Sequence, residues 1–203
     1  MDIYKQIEAL KIVPVVKLDA AEDAVPLAKA LIDGGLPIAE ITFRTAAAEE
    51  SIRAVSVAFP QMLVGAGTVV NVEQAERAVK AGAKFIVRIL SFRSRMMTSV
   101  MWLAMPVVSP GFSPAVTKFA VEKGIPIFPG VCTPTEIMAA LEFGLKVVKF
   151  FPAKQYGGLA TIKALAAPFP GIRFMPTGGV SAENLLEYLS SDKVIACGGS
   201  WMV

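Results

Sequence analysis

The sequence predicts an α/β chain that folds as a (β/α)8 TIM barrel, on three observations. Short β-branched runs alternate with amphipathic stretches along the whole chain, the pattern that successive βα units leave. Gly35, Gly82, Gly124 and Gly144 each fall where a helix would end before the next strand. No GxGxxG follows the first strand, so nothing favours an open dinucleotide-binding sheet.

The elements follow in order. The first strand is IVPVVK at 12–17, followed by a helical pattern at 21–32. PIAEITF at 37–43 precedes a helix at 46–57, and MLVG at 62–65 precedes one at 72–81. KFIV at 84–87 is the fourth strand, with the next helical pattern at 114–122. IPIF at 125–128, KVVKF at 146–150 and RFM at 173–175 are followed by helical patterns at 134–143, 159–166 and 182–189. VIAC at 194–197 is the eighth strand, and the chain then runs out at 200–203 without an eighth helix. The other break is the stretch RILSFRSRMMTSVMWLAMPVV at 88–108, where a barrel needs only a short loop. It leaves strand four open: either 85–87 forms it and the insert bulges outward, or 106–108 replaces it.

Composition narrows the function classes. The 203 residues suit one domain, 1–203, interrupted by the atypical insert. Apolar residues reach 54% and charged residues 18%, yet the longest apolar run, 96–108, is short of the roughly 20 residues that span a bilayer. The start, MDIYKQIEALKIV, carries acids early and has no long apolar core, so no leader and no membrane association are expected. Cys132 and Cys197 have neither disulfide-framework nor metal-ligand spacing, which fits a cytoplasmic setting and no metal. A net charge of +3 does not indicate nucleic acid as a partner. The chain has no histidine, so acid–base chemistry falls to Glu, Asp, Lys, Tyr or Cys.

The segment LKVVKFFP at 145–152 carries the strongest chemical signal. Side chains alternate along a strand, so Val147, Lys149 and Phe151 share a face. If that face points inward, Lys149 is a desolvated amine near the strand's C-terminal end, where barrels build their sites. If it points outward, Lys149 merely snorkels to water. In the second strand Glu40, Thr42 and Arg44 share one face. With both faces of a barrel strand covered, such charges need an ion-pair partner or a task. The turns GAGT at 65–68, GVCT at 130–133, TGG at 177–179 and GGS at 198–200 follow strands. The last two sit after strands seven and eight, where backbone N–H groups of barrels often hold phosphate.

The ordered motifs EITFRT (40–45), VGAGTV (64–69), SPGF (109–112), PGVCTPTE (129–136), VKFFPA (148–153), PTGGV (176–180) and GGSW (198–201) cover nearly all of the chain except 88–108. Together they resemble the 2-keto-3-deoxy-6-phosphogluconate (KDPG) aldolase family, grouped with 4-hydroxy-2-oxoglutarate (KHG) aldolase. The resemblance implies a class I aldolase, a homotrimer that needs no cofactor. It would cleave a small phosphorylated keto acid, KDPG, to pyruvate and glyceraldehyde 3-phosphate, with KHG cleavage to pyruvate and glyoxylate as a second activity. By this likeness Lys149 forms the imine and Glu40 moves protons through water. Arg44 and Thr68 hold the pyruvyl end, Gly178, Gly179, Gly199 and Ser200 form the phosphate cradle, Thr177 binds substrate, and Pro110 and Phe112 line the pocket after strand four. The sequence departs from the family in the insert, in the absent last helix and in Lys154, where members often carry an acid. The insert holds Arg88, Arg93 and Arg95 and no acid. It reads as a basic surface, a lid, an extra surface helix or sequence without an evolved role. Two other readings stay open: a catalytically impaired or engineered barrel that self-associates as a scaffold, and a sugar-phosphate isomerase or lyase that uses Glu40 without an imine.

Overall fold

The computed structural model describes residues 2–87 and 112–203. A helix, α1 (Ile3–Leu10), leads into β1 (Ile12–Val16), α2 (Ala24–Asp33), β2 (Ile38–Thr42), α3 (Ala48–Ala58), β3 (Leu63–Gly67), α4 (Val72–Lys80) and β4 (Phe85–Val87). The chain continues with α5 (Pro114–Glu122), β5 (Ile127–Phe128), β6 (Gly130–Val131), α6 (Pro134–Glu142) and β7 (Val147–Phe150). It closes with α7 (Gly158–Ala166), β8 (Arg173–Pro176), α8 (Leu185–Leu189) and β9 (Cys197–Gly199), after which no helix follows.

Every strand pair is parallel. One sheet has the order β5-β4-β3-β2-β1-β9 and a second the order β6-β7-β8. Single parallel bridges, Phe174 to Val194 and Thr177 to Gly198, connect β8 to the chain around β9. The result is a curled parallel sheet of the (β/α)8 type. Strand four is settled: Phe85–Val87 sits in register between β3 and β5, with Gly65 opposite Phe85 and Ile86 opposite Ile127. The alternative at 106–108 lies outside the described residues.

The helices pack through small, regularly spaced residues. Ala24, Ala28 and Leu31 of α2, Ile52 and Val55 of α3, Ala75 and Ala78 of α4, and Leu159, Ile162 and Ala166 of α7 are buried against the outward faces of the strands. This 3.6-residue spacing carries the sequence pattern into the observed packing. Gly35, Gly82, Gly124 and Gly144 all take positive φ, as expected of residues that end helices. The motif TPTE is a capping box: Thr133 accepts from the Glu136 N–H, and Glu136 accepts from the Thr133 N–H at 3.0 Å.

A second apolar cluster fills the concave side, drawing Val13, Ile38, Leu63, Phe85, Val87, Phe128, Val147 and Met175 from the strands. One helix reaches it. Ile7 of α1 is fully buried in this cluster, and Glu8 clamps the helix to Arg173 at 2.6 Å. Helix α1 is absent from the sequence-based expectation, although Ile3, Ile7 and Leu10 have helical spacing. It covers the end of the curl where the strands start. Among the described residues no helix is long and apolar enough to cross a membrane.

Because Ile7 is fully buried, Ile7→Ala is expected to cost about 2–5 kcal/mol in denaturant unfolding. A loss below about 0.5 kcal/mol would be the size of a surface substitution and would remove α1 from the core.

Candidate active site

The site is built where strands end. Alternation puts Glu40 and Thr42 of β2 and Lys149 of β7 on the concave face, above the layer of Ile38, Leu63 and Val147. Both Glu40 and Lys149 have no solvent exposure. Lys149 therefore points inward and does not snorkel. Its Nζ donates to Glu40 Oε1 at 3.1 Å and Oε2 at 3.3 Å, bringing together two groups 109 residues apart in sequence. The partner of Glu40 is thus Lys149 and not Arg44. The Phe151 ring lies 5.8 Å from Nζ and adds an apolar wall.

Burial pulls the Lys149 pKa below the ordinary lysine value and is the dominant effect. The charge and hydrogen bond of Glu40 oppose it, and the positive charge of Arg44 adds slightly to the lowering. Lysine in this setting is more readily a neutral nucleophile than lysine on the surface.

A cavity of about 590 Å3 opens above this pair. Lys149 and Phe151 border it, and so do Thr42, Arg44, Thr177, Gly178, Gly179, Gly199 and Ser200. Glu40 lies behind Lys149 and is not part of the lining. Arg44 is exposed and donates from Nε to Thr68 Oγ1 at 3.1 Å. Thr68 holds this position with a positive φ of 57°, unusual for a residue with a branched side chain. The Nη groups of Arg44 make no hydrogen bond among the described residues and can fork onto a carboxylate.

At the opposite wall, Gly178 and Gly179 have positive φ. Their carbonyls are tied back into the fold, Gly178 to the Lys154 N–H at 3.0 Å and Gly179 to Asn184 Nδ2 at 2.9 Å. Among the described residues, their N–H groups and that of Ser200 have no backbone acceptor. Free N–H groups at such a turn suit an anion. The Thr177 hydroxyl is buried beside them without a hydrogen-bond partner, an uncommon state for a buried polar atom away from a ligand site.

One expected site residue does not join this group. Phe112 packs on Phe143 at 5.8 Å between ring centroids and does not line the cavity, and Pro110 lies outside the described residues. Conversely, Lys17 borders the cavity without having been singled out from sequence. Its signal was the alternation Val13, Val15, Lys17 along the first strand, whose inward face ends at the cavity. Lys154 packs its stem against Gly179 and stays off the lining.

A family model described as aldolase, KDPG and KHG aldolase, matches residues 3–91 and 93–203, two stretches that meet inside the insert. The chain belongs to the KDPG and KHG aldolase family. Within this family, the 2-dehydro-3-deoxy-phosphogluconate aldolase of Treponema pallidum (strain Nichols) is 48% identical over 201 residues, covering 99% of this chain and 86% of that protein. A crystal structure of the KDPG aldolase from Legionella pneumophila, with pyruvate captured at low pH as a covalent carbinolamine intermediate, is 34% identical. It superposes with a TM-score of 0.85 over 100% of this chain and 88% of that one. The enzyme of Zymomonas mobilis ZM4, crystallised with 3-phosphoglycerate, is 34% identical with a TM-score of 0.84, over 98% and 86% of the two chains.

The lowered pKa sets a pH test. Acylation of Lys149 by an amine-directed reagent, read by peptide mass spectrometry, is expected to reach half its maximal rate well below the ordinary lysine pKa of about 10.4. Because Glu40 raises the Lys149 pKa, Glu40→Gln is expected to move that limb further down. A limb at the ordinary value, or one moved upward by Glu40→Gln, would contradict the assignment.

Proposed function

We propose that the chain is a class I aldolase that cleaves KDPG to pyruvate and glyceraldehyde 3-phosphate, with KHG as a second substrate. The observation that carries this reading is a fully buried lysine, its pKa lowered by burial, beside a fully buried carboxylate at the floor of a cavity with an anion-accepting turn on its far wall. A carbinolamine, the species captured in the Legionella pneumophila enzyme, is the adduct of an amine with a carbonyl carbon. Lys149 is the buried amine in this cavity.

The steps balance without an external oxidant or reductant. Neutral Lys149 adds to the substrate ketone, and the carbinolamine takes up a proton on its hydroxyl and loses water to give a protonated imine. A base takes the proton of the C4 hydroxyl, the C3–C4 bond breaks, and its electron pair moves into the imine to leave an enamine and the free aldehyde. Protonation of the enamine and hydrolysis of the imine release pyruvate and return Lys149. Glu40 serves these proton transfers, through water where it does not reach directly. Arg44, oriented by Thr68, holds the substrate carboxylate. Thr177, Gly178, Gly179, Gly199 and Ser200 receive the phosphate end, an assignment supported by the N–H groups of Gly178, Gly179 and Ser200, which have no backbone acceptor among the described residues, and by the unpartnered Thr177 hydroxyl. Pro110 and Phe112 remain proposed pocket residues on the family resemblance alone.

The same reading takes the two sheets as one closed TIM barrel in a single domain, with β5 and β6 as one strand interrupted at Pro129. The bridges between β8 and the chain around β9 support closure. A homotrimer in the cytoplasm completes the proposal. Exposed Val121 of α5 and Met138 and Leu141 of α6 supply apolar surface for association, and both cysteines are free.

Pyruvate release from KDPG, followed by a coupled lactate dehydrogenase assay, tests the function. Lys149→Ala is expected to abolish it, and Arg44→Ala to raise KM at least tenfold with a smaller effect on kcat. Activity that survives Lys149→Ala while failing in Glu40→Ala would favour an imine-free isomerase or lyase. No pyruvate from a folded parent would favour the scaffold reading.

A further inference from the structure

The concave face of β3 runs Leu63, Gly65, Gly67, so its upper two positions carry no side chain. Neither glycine has a positive φ, and the backbone therefore does not require glycine at either place. What they provide is space, and different neighbours use it. A methyl group on Gly65 would overlap the ring of Phe85 on β4. A methyl group on Gly67 would overlap Cγ, the carboxyl carbon and Oε1 of Glu40.

The strand register sharpens the second contact. The Cα of Glu40 lies opposite Gly65, whereas Gly67 lies opposite Thr42. The Glu40 side chain thus leans along the strand towards the cavity and settles over Gly67, one layer above its own partner. Among the described residues, its only hydrogen bonds are those from Lys149 Nζ. When Lys149 becomes a protonated imine, a single N–H donor remains. The carboxylate then depends chiefly on the slot around it.

We propose that Gly67 is a positioning residue for the proton-transferring carboxylate: its bare Cα forms the slot that keeps Glu40 aimed at the imine carbon skeleton. Gly65, two residues away on the same face, packs the core and has no such role. The inference rests on the aldolase reading above. A misplacement of about 1 Å in a reacting group costs on the order of 10²-fold in rate, which sets the expected effect.

The test separates imine formation from proton transfer. Pyruvate in D2O exchanges its methyl protons when the enzyme-bound imine is deprotonated to the enamine and then takes a deuteron. Borohydride trapping counts the imine itself. In Gly67→Ala the exchange rate per trappable site is expected to fall on the order of 10²-fold, with trapping retained. Gly65→Ala is expected to lower the melting temperature while keeping the parent's ratio. An unchanged ratio in Gly67→Ala would overturn the inference and leave the aldolase reading intact. Absence of both trapping and exchange in the parent would overturn both.

A second comparison holds even if Gly67→Ala folds poorly. Alanine at position 40 ends at Cβ and removes every Glu40 atom that the methyl group would overlap. Gly67→Ala is therefore expected to lower the melting temperature much less in a Glu40→Ala background than in the parent. Equal losses in both backgrounds would mean that Glu40 does not occupy the slot, and the inference would fall.

Discussion

The contact between Lys149 and Glu40 is the constraint around which the rest of the concave side is arranged. Two ionisable groups with no solvent exposure sit 3.1 Å apart, in an interior otherwise filled by Val13, Ile38, Phe85, Phe128 and Met175. Burying such ions costs several kcal/mol each after relaxation, and their attraction repays this only with close geometry. A packed apolar pair of similar volume would serve stability at least as well. Retaining them keeps an amine whose pKa burial lowers within hydrogen-bond reach of a carboxylate. Functional sites often concentrate such perturbed groups.

The surrounding elements can be understood from this requirement. Helix α1 closes the end of the curl where the strands begin, and Ile7 keeps water from the layer beneath the pair. At the opposite end β3, β8 and β9 run into short segments of Gly, Thr and Ser. Apolar residues surround Lys149 and Lys17 in the cavity lining, whereas its far wall offers backbone N–H groups and the Thr177 hydroxyl. Arg44 stands at the rim on a third side. A ligand with a ketone between two anionic ends matches this layout: one end meets the guanidinium, the other meets the turn, and the ketone lies over the lysine.

Much of this was legible in the sequence because it follows from periodicity. Alternation along β2 and β7 grouped Glu40 with Thr42 and Lys149 with Val147 but left open whether those faces point inward, and the spacing of glycines marked helix ends that the structure reproduces. Helix boundaries held closely where caps were strong, as at Pro114–Glu122, which begins with Ser113 capping and proline in the first turn. Three features were not legible. The pairing of Glu40 with Lys149 spans 109 residues and depends on the curl of the sheet, which no local pattern encodes. Helix α1 has only Ile7 fully buried and is held by tertiary contacts that its sequence does not announce. Phe112 turned to Phe143, a choice between two apolar surroundings that hydrophobicity alone cannot make. The resemblance to a family added what periodicity could not, namely the substrate and the division of the cavity into two ends.

The central claim is that Lys149 is the amine that bonds to the substrate ketone. Incubating the protein with pyruvate and borohydride, then digesting it and locating the adduct by peptide mass spectrometry, tests this directly. The expected result is a single reduced pyruvyl adduct on the peptide that contains Lys149. An adduct on Lys17 or Lys154 instead, or none from a protein that is folded and soluble, would contradict it.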